Sequence, residues 1–287
     1  MASATVALSN GVLLPRLGFG THTLRGDVCE VAVQRALECG YRQVDTASIY
    51  KNEEEVKRGI SRANLRRQDV FITSKCSPYE LNYEKTRGAL ESTLAKLGTA
   101  YIDLYLIHWP GVARVKHSSS EHREARSASW KALEDAYMEG KCRAIGVSNY
   151  NQKHLEELLS QARVAPHVNQ IEFHPQLQRK ALCNFCANHG IALQAYSPLG
   201  CGELLHHKTV TGIAREMDCS AAQLLLLWCL HKGTVPLPRS SSEENIKANF
   251  RVQQMLLDGV TLSSAHLAEM DSMDQGRHFC WSSDSVL

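Results

Sequence analysis

Three ionisable residues stand at the ends of short apolar runs. Asp45 ends the run through Val44, Lys75 the run that opens at Val70, and His108 the run that closes at Ile107; Tyr50 follows Asp45 closely. A tyrosine is a weak acid, with a reference pKa of about 10. A neighbouring ammonium stabilises the phenolate and lowers that value, and Lys75 can supply one. Asp45 can keep Lys75 charged, because a buried lysine otherwise tends to lose its proton. His108 can donate to a carbonyl oxygen and orient it beside Tyr50. If the four meet, they form a proton donor next to an oxyanion pocket. That arrangement is useful when hydride reaches a carbonyl carbon.

Such a meeting needs strands whose carboxyl ends share one face. Strand-like runs fall at 17–19, 43–44, 70–73, 102–107, 144–147, 168–173, 191–195 and 234–237, with helical stripes between them. Val28, Ala32, Ala36 and Cys39 form one stripe; Leu90, Leu94 and Leu97 another; Trp130, Leu133 and Tyr137 a third. Gly40, Gly140, Gly190 and Gly233 supply helix stops. Eight βα units in fewer than 290 residues predict a closed (β/α)8 TIM barrel, an α/β fold that places its chemistry at the carboxyl ends of the strands. The open doubly wound sheet is the rival. It carries G-x-G-x-x-G after an early strand. Here Gly18-Phe19-Gly20 runs into Thr21-His22-Thr23, and the third glycine is missing.

Ahead of the barrel, residues 5–8 and 12–14 flank Ser9-Asn10-Gly11. This predicts a hairpin at the barrel's bottom, with positive φ tolerated at both Asn10 and Gly11. No linker divides the chain, so residues 1–287 read as a single barrel domain. Residues 111–129 are the least patterned and read as a loop at the mouth; the tail from Gly276 is also unpatterned.

Bulk properties exclude several classes. A net charge of +2 offers no field for nucleic acid. The ten cysteines are scattered rather than framed as in small secreted domains, so they read as reduced thiols of a cytoplasmic protein. Cys183 and Cys186 have CxxC spacing, but no second pair completes a metal site, and they read as helix-face packing. The longest apolar stretch, 224–230, is far short of a membrane span. The N-terminus has no basic region followed by a long apolar run. No coiled-coil pattern argues against a monomer.

The chain resembles the aldo-keto reductase superfamily over almost its whole length. The matching stretches are Gly40-Tyr41-Arg42-Gln43-Val44-Asp45-Thr46-Ala47 with Tyr50, Ile72-Thr73-Ser74-Lys75, and Asp103-Leu104-Tyr105-Leu106-Ile107-His108-Trp109-Pro110. They continue through Gly146-Val147-Ser148-Asn149-Tyr150, Asn169-Gln170-Ile171-Glu172-Phe173-His174-Pro175 and Ala195-Tyr196-Ser197-Pro198-Leu199-Gly200. The resemblance implies NADPH, reversible reduction of aldehydes or ketones, and Tyr50 as general acid with Asp45, Lys75 and His108 around it. It further implies that Ser148, Asn149 and Gln170 hold the nicotinamide carboxamide, that Tyr196 stacks on the ring, and that Ser197 and Leu199 contact the pyrophosphate. Gly20 and Thr21, after the first barrel strand, join the cofactor-binding set.

At the adenosine end, Arg239, Ser240 and Ser241 precede a helix that carries Asn245 and Asn249. A cation, hydroxyls and a helix N-terminus suit the 2′-phosphate of NADPH. Ser241-x-x-Glu244 reads as a capping box. The chain departs from the common family pattern here: Arg239 stands for a frequent lysine, Asn245 for a frequent arginine and Ala248 for a frequent glutamate.

The substrate side comprises His108 and Trp109, with His22 and Tyr79 beside them. A short tail predicts an open pocket that suits small or varied carbonyls, with a rim made basic by His117, His122 and nearby arginines. The competing reading is a non-catalytic or moonlighting family member, structural or regulatory, that binds the cofactor without turning over.

Overall fold

The computed structural model describes residues 4–287; Met1, Ala2 and Ser3, which enter the N-terminal reading, lie outside it. After a hairpin of β1 (Thr5–Ala7) and β2 (Leu13–Pro15) come the barrel's first strand and helix, β3 (Phe19–Gly20) and α1 (Gly26–Cys39). The units β4 (Gln43–Asp45) with α2 (Glu53–Arg62), β5 (Phe71–Cys76) with α3 (Tyr83–Leu97), and β6 (Ile102–Ile107) with α4 (Glu121–Met138) follow. Next are β7 (Cys142–Ser148) with α5 (Gln152–Leu159), β8 (Val168–Glu172) with α6 (Lys180–Asn188), and β9 (Ala192–Tyr196) with α7 (Lys208–Glu216) and α8 (Ala221–His231). The chain closes with β10 (Val235–Pro236), α9 (Glu243–Leu257) and α10 (Ser264–Asp271).

Strands β3 to β10 form one eight-stranded sheet in sequence order. Every neighbouring pair is parallel. The ends of the sheet meet: Gly18 N donates to Pro236 O at 3.1 Å and Gly20 N to Pro238 O at 3.0 Å. The expected barrel is therefore present. Successive residues of a strand point to opposite faces. Phe71, Leu104, Leu106, Ala144, Val168 and Val235 form one buried apolar cluster inside the barrel. Leu8 and Leu14 of the hairpin region join it, and together they plug the amino end. Burying a leucine fully stabilises by about 1.5–3 kcal/mol.

Several local expectations are corrected. Only Gly11 takes positive φ (83°) in the hairpin turn; Leu8 O accepts from Gly11 N and Leu8 N donates to Val12 O. This is a turn followed by a glycine bulge, which needs one left-handed residue instead of two. On α1 the buried stripe is Cys29, Ala32, Val33, Ala36 and Leu37, while Val28 is 55% exposed. Residues 111–129 are not one loop, since α4 begins at Glu121 and buries His122, Ala125 and Arg126. Helix α2 shows too few apolar residues for a stripe of its own; Val56, Gly59 and Ile60 make its buried face, along α1. The glycine stops stand, with positive φ at Gly40, Gly140, Gly190 and Gly233.

Candidate active site

The alternation that fills the barrel also aims its chemistry. On β5 the residues that share a face with buried Phe71 are Thr73 and Lys75; on β8 those that share a face with Val168 are Gln170 and Glu172. Asp45 ends β4, and His108 follows Leu104 and Leu106 of β6. The register pairs Asp45 with Thr73, Lys75 with Leu106, Ser148 with Gln170, and Glu172 with Tyr196. The polar ends thus collect above an apolar plug.

Lys75 is 0% exposed, and its Nζ donates to Asp45 Oδ1 at 2.6 Å and Thr46 O at 2.8 Å. Tyr50 sits on a short turn, Ser48–Tyr50, between β4 and α2. Its Oη lies 3.5 Å from Lys75 Nζ and 3.5 Å from His108 Nε2. The four residues meet. Tyr50 and His108 are half-buried, facing the mouth, while Asp45 and Lys75 lie behind them.

The electrostatics differ from the sequence expectation in one respect. The Tyr50 hydroxyl is held well above the usual tyrosine range, first by burial and then by the charge of Asp45. Removing the phenol's proton would place a second anion near that carboxylate in a dry site. Burial lowers Lys75, and Asp45 opposes that loss. Burial, then Lys75, push His108 well below the usual histidine range, so its imidazole is neutral. His108 Nδ1 is buried without a partner. Asp45 also does more than serve Lys75: its Oδ2 accepts from Gln170 Nε2 at 2.8 Å, and the same nitrogen donates to Gln194 Oε1 at 3.0 Å. Gln194, a buried residue of β9, is a site member that sequence reasoning missed. Its inward position in strand alternation was the available signal.

The residues matched to cofactor positions surround this cluster. Both hydrogens of Gln170 Nε2 are engaged, which leaves Oε1 to accept from an amide. Ser148 Oγ donates to Gln170 O at 2.9 Å. Asn149 (φ 65°) donates from Nδ2 to His108 O at 3.0 Å and Ser148 Oγ at 3.1 Å, and accepts at Oδ1 from Tyr196 Oη at 2.7 Å. Ser197 and Leu199 follow β9, and the Leu199 side chain packs against the core. Thr21 is committed to the fold, with both N and Oγ1 donating to Asp45 O. Gly20 allows the first strand to approach the last: a Cβ there would lie 3.1 Å from Leu237 O.

At the far end, Arg239 and Ser241 are exposed, and no ion pair joins Arg239 to an acid among the described residues. Ser240 Oγ accepts from Ser242 N at 3.1 Å. The cap of α9 is Ser242, which accepts from Asn245 N at 3.4 Å, and not the expected Ser241–Glu244 box. Glu243 in the first turn is paired with Arg35 at 3.1 Å and Lys247 at 2.6 Å. Asn245 is exposed and Asn249 buried on the same helix. An unpaired guanidinium, two hydroxyls and a helix N-terminus suit a phosphate monoester. The residues present therefore fit a dinucleotide phosphate.

On the substrate side, the His22 ring lies 4.9 Å from that of Tyr50, and Trp109 is half-buried beside His108. Asn52 holds the His22 loop, donating to Thr21 O at 2.9 Å and Leu24 O at 3.0 Å and accepting from Thr46 Oγ1 at 2.7 Å. Tyr79 is 55% exposed, with the Arg114 guanidinium 5.6 Å from its ring, and no described ring contact ties it to Tyr50. The basic rim is smaller than expected. His122 is buried between Val112 N and Lys116 O, and Arg126 between Pro110 O and Glu157. The tail is pinned across the mouth. Glu172 accepts from Phe279 N at 2.7 Å and Cys280 N at 3.3 Å, while Ser283 Oγ donates to Asn149 O.

Together the fold and this cluster define a barrel oxidoreductase with its acid and base groups at the strand ends. Residues 16–273 match the Aldo/keto reductase family, and the chain belongs to it. The glyoxal reductase of Bacillus subtilis is 45% identical over 246 residues, 85% of each chain. The crystal structure of MGS-M4, an aldo-keto reductase from a Medee basin deep-sea metagenome library, superposes with a TM-score of 0.88 at 36% identity, covering 97% of this chain and 98% of that one. The Bombyx mori aldo-keto reductase solved in complex with NADP gives a TM-score of 0.87 at 29% identity, covering 99% and 97%. No helix of the described residues is long and apolar enough to cross a membrane, and no described cluster of His, Cys, Asp and Glu could hold a metal ion.

Proposed function

We propose that this protein reduces the carbonyl of small aldehydes or ketones to the alcohol, reversibly, with NADPH as cofactor and Tyr50 as general acid. The carrying observation is the placement of Tyr50 Oη 3.5 Å from both Lys75 Nζ and His108 Nε2, with Lys75 tied to Asp45. NADPH, when bound, supplies the hydride. A carbonyl oxygen set between Tyr50 Oη and the neutral His108 imidazole receives hydrogen bonds from both. As negative charge develops on that oxygen, the Tyr50 proton passes to it, and Lys75 stabilises the phenolate left behind. A phenol held neutral at working pH is in the form that a proton donor needs.

Ser148, Asn149 and Gln170 orient the nicotinamide carboxamide, and Tyr196 covers one ring face. Ser197 and Leu199 line the pyrophosphate path, and Gly20 and Thr21 belong to the cofactor-binding set. Arg239, Ser240, Ser241, Asn245 and Asn249 take the adenosine phosphate end. His108, Trp109, His22 and Tyr79 form the substrate side. The chain acts as one barrel domain, a monomer in the cytoplasm, with a small carbonyl compound as its partner. The likeness to a glyoxal reductase supports a small substrate.

The test is NADPH oxidation with nitrobenzaldehyde or phenanthrenequinone. A folded, cofactor-binding protein without turnover overturns this reading in favour of a non-catalytic family member. Tyr50→Phe is expected to lose turnover by about 10²–10⁴-fold, the usual scale of a general acid, while cofactor affinity stays near wild type. Wild-type rates in that variant remove Tyr50 from its role.

A further inference from the structure

Two thiols meet on the pyrophosphate side of the site, contributed by segments far apart in sequence. Cys201 lies in the loop after β9, and Cys280 lies in the tail. Both sulfurs approach one hydroxyl: Ser197 Oγ is 3.4 Å from Cys280 Sγ and 3.8 Å from Cys201 Sγ. Ser197 Oγ thus bridges the two thiols. Their neighbours touch as well. A Cβ on Gly200 would stand 2.8 Å from the Phe279 ring, and Arg277 Nη2 donates to Glu203 Oε2 at 2.6 Å. Loop and tail are thus joined along a seam of three contacts, with the cysteines in the middle.

The backbone on the loop side is held unusually. Ser197 and Cys201, neither a glycine, have φ of 48° and 53°. Left-handed residues of this kind persist where surrounding contacts over-determine them. Cys201 is exposed, whereas Cys280 is partly buried. Of the other cysteines, all but Cys219 lie in helices or strands. None of them has a cysteine partner contributed by a distant segment beside the site.

We propose that Cys201 and Cys280 are a redox-active pair that closes to a disulfide with a hydroperoxide as oxidant, strapping loop to tail over Ser197 and slowing cofactor exchange. The exposed Cys201 thiolate attacks a peroxide oxygen and the O–O bond breaks, giving a sulfenic acid and, for hydrogen peroxide, one water. The Cys280 sulfur then displaces the hydroxyl, which leaves with the Cys280 proton as a second water. Two electrons pass from the two thiols to the peroxide. A small dithiol reverses the bridge. The pairing rests on the loop–tail seam alone. The effect on exchange rests on the proposed cofactor path past Ser197.

The experiment oxidises the folded full chain with hydrogen peroxide and maps disulfides by mass spectrometry of a non-reducing digest. A peptide linking Cys201 to Cys280 is expected, absent from Cys201→Ser and Cys280→Ser and abolished by dithiothreitol. NADPH release, followed by its fluorescence, is expected to slow on the order of tenfold in the oxidised wild type, as when a lid must open, and to recover on reduction. Oxidised Cys201→Ser releases NADPH as the reduced protein does. Absence of the linked peptide from oxidised, folded wild type overturns the pair. A linked peptide with unchanged release overturns the strap. Failure of the reduced wild type to bind NADPH at all removes the proposed function and the strap, while the linked peptide still decides the pair.

Discussion

Asp45 holds two partners at once, Lys75 through Oδ1 at 2.6 Å and Gln170 through Oδ2 at 2.8 Å. One carboxylate therefore joins the β5 ammonium to the β8 amide, and both are buried. Asp45→Asn removes the charge that keeps Lys75 protonated, and it sets an amide against an amide at Gln170. Removing one partner of a buried pair costs about 3–5 kcal/mol, less if Lys75 gives up its proton instead. The expected variant is folded but less stable, with kcat/KM down by about 10²-fold or more. Thermal unfolding and NADPH oxidation check both parts; wild-type stability and rate together contradict the linkage.

The pH dependence of reduction follows from the same cluster. Tyr50 must carry its proton and Lys75 its charge, so activity is present at lower pH and lost as pH rises. Lys75 is pushed below the usual lysine range and Tyr50 well above the usual tyrosine range. The first alkaline fall in kcat/KM thus belongs to Lys75. Lys75→Arg, whose cation persists to pH above about 12, should move that fall upward at reduced overall rate. His108 is already neutral, so no step is expected near the ordinary histidine value. A loss of rate centred near neutral pH would contradict this order of titration.

Arg239, at the mouth of α9, is a cation without an acidic partner among the described residues. If it grips the extra phosphate of NADPH, Arg239→Ala loses a charge-assisted interaction worth about 1.5–3 kcal/mol, or roughly 10- to 100-fold in Kd. NADH has no such phosphate and should lose much less. Titration with both cofactors measures the difference; equal losses move the phosphate site elsewhere.

His154 links α5 to the tail. It caps the helix with Asn151, and its Nε2 lies 2.9 Å from Val286 O. Burial pushes its pKa down from 6.5 to about 4. The unfolded chain then binds a proton between those values that the folded chain refuses. Stability is full above pH about 6.5 and falls as pH drops towards 4, by about 3 kcal/mol in total. Urea unfolding across this range should show the slope, and His154→Gln should flatten it. An unchanged slope in that variant assigns the acid sensitivity to other groups.

Much of this site was readable in one dimension. Asp45, Lys75 and His108 stood out because an apolar run gains nothing by ending in a charge. The eight runs were legible because strands buried on both faces read as continuous apolar stretches. Helix α2 was harder, because Val56 and Ile60 are the only large apolar side chains it buries. Gln194 stayed hidden because strand alternation can place it inward but cannot name Gln170 as its partner. The seam between loop and tail was equally invisible, since Cys201 and Cys280 are far apart in the chain.

The sequence by itself determined the βα alternation, the barrel, the family and the residues at the strand ends. Continuous apolar runs and helical stripes, which are local, specify those features. Tertiary structure decided that Tyr50 is held protonated rather than made acidic, because burial and the Asp45 charge outweigh an ammonium 3.5 Å away. It also decided that Asp45 serves Gln170 as well as Lys75, and that the unpatterned tail is anchored on Glu172. These are distances between residues remote in sequence, set only when the barrel closes and its strand ends converge.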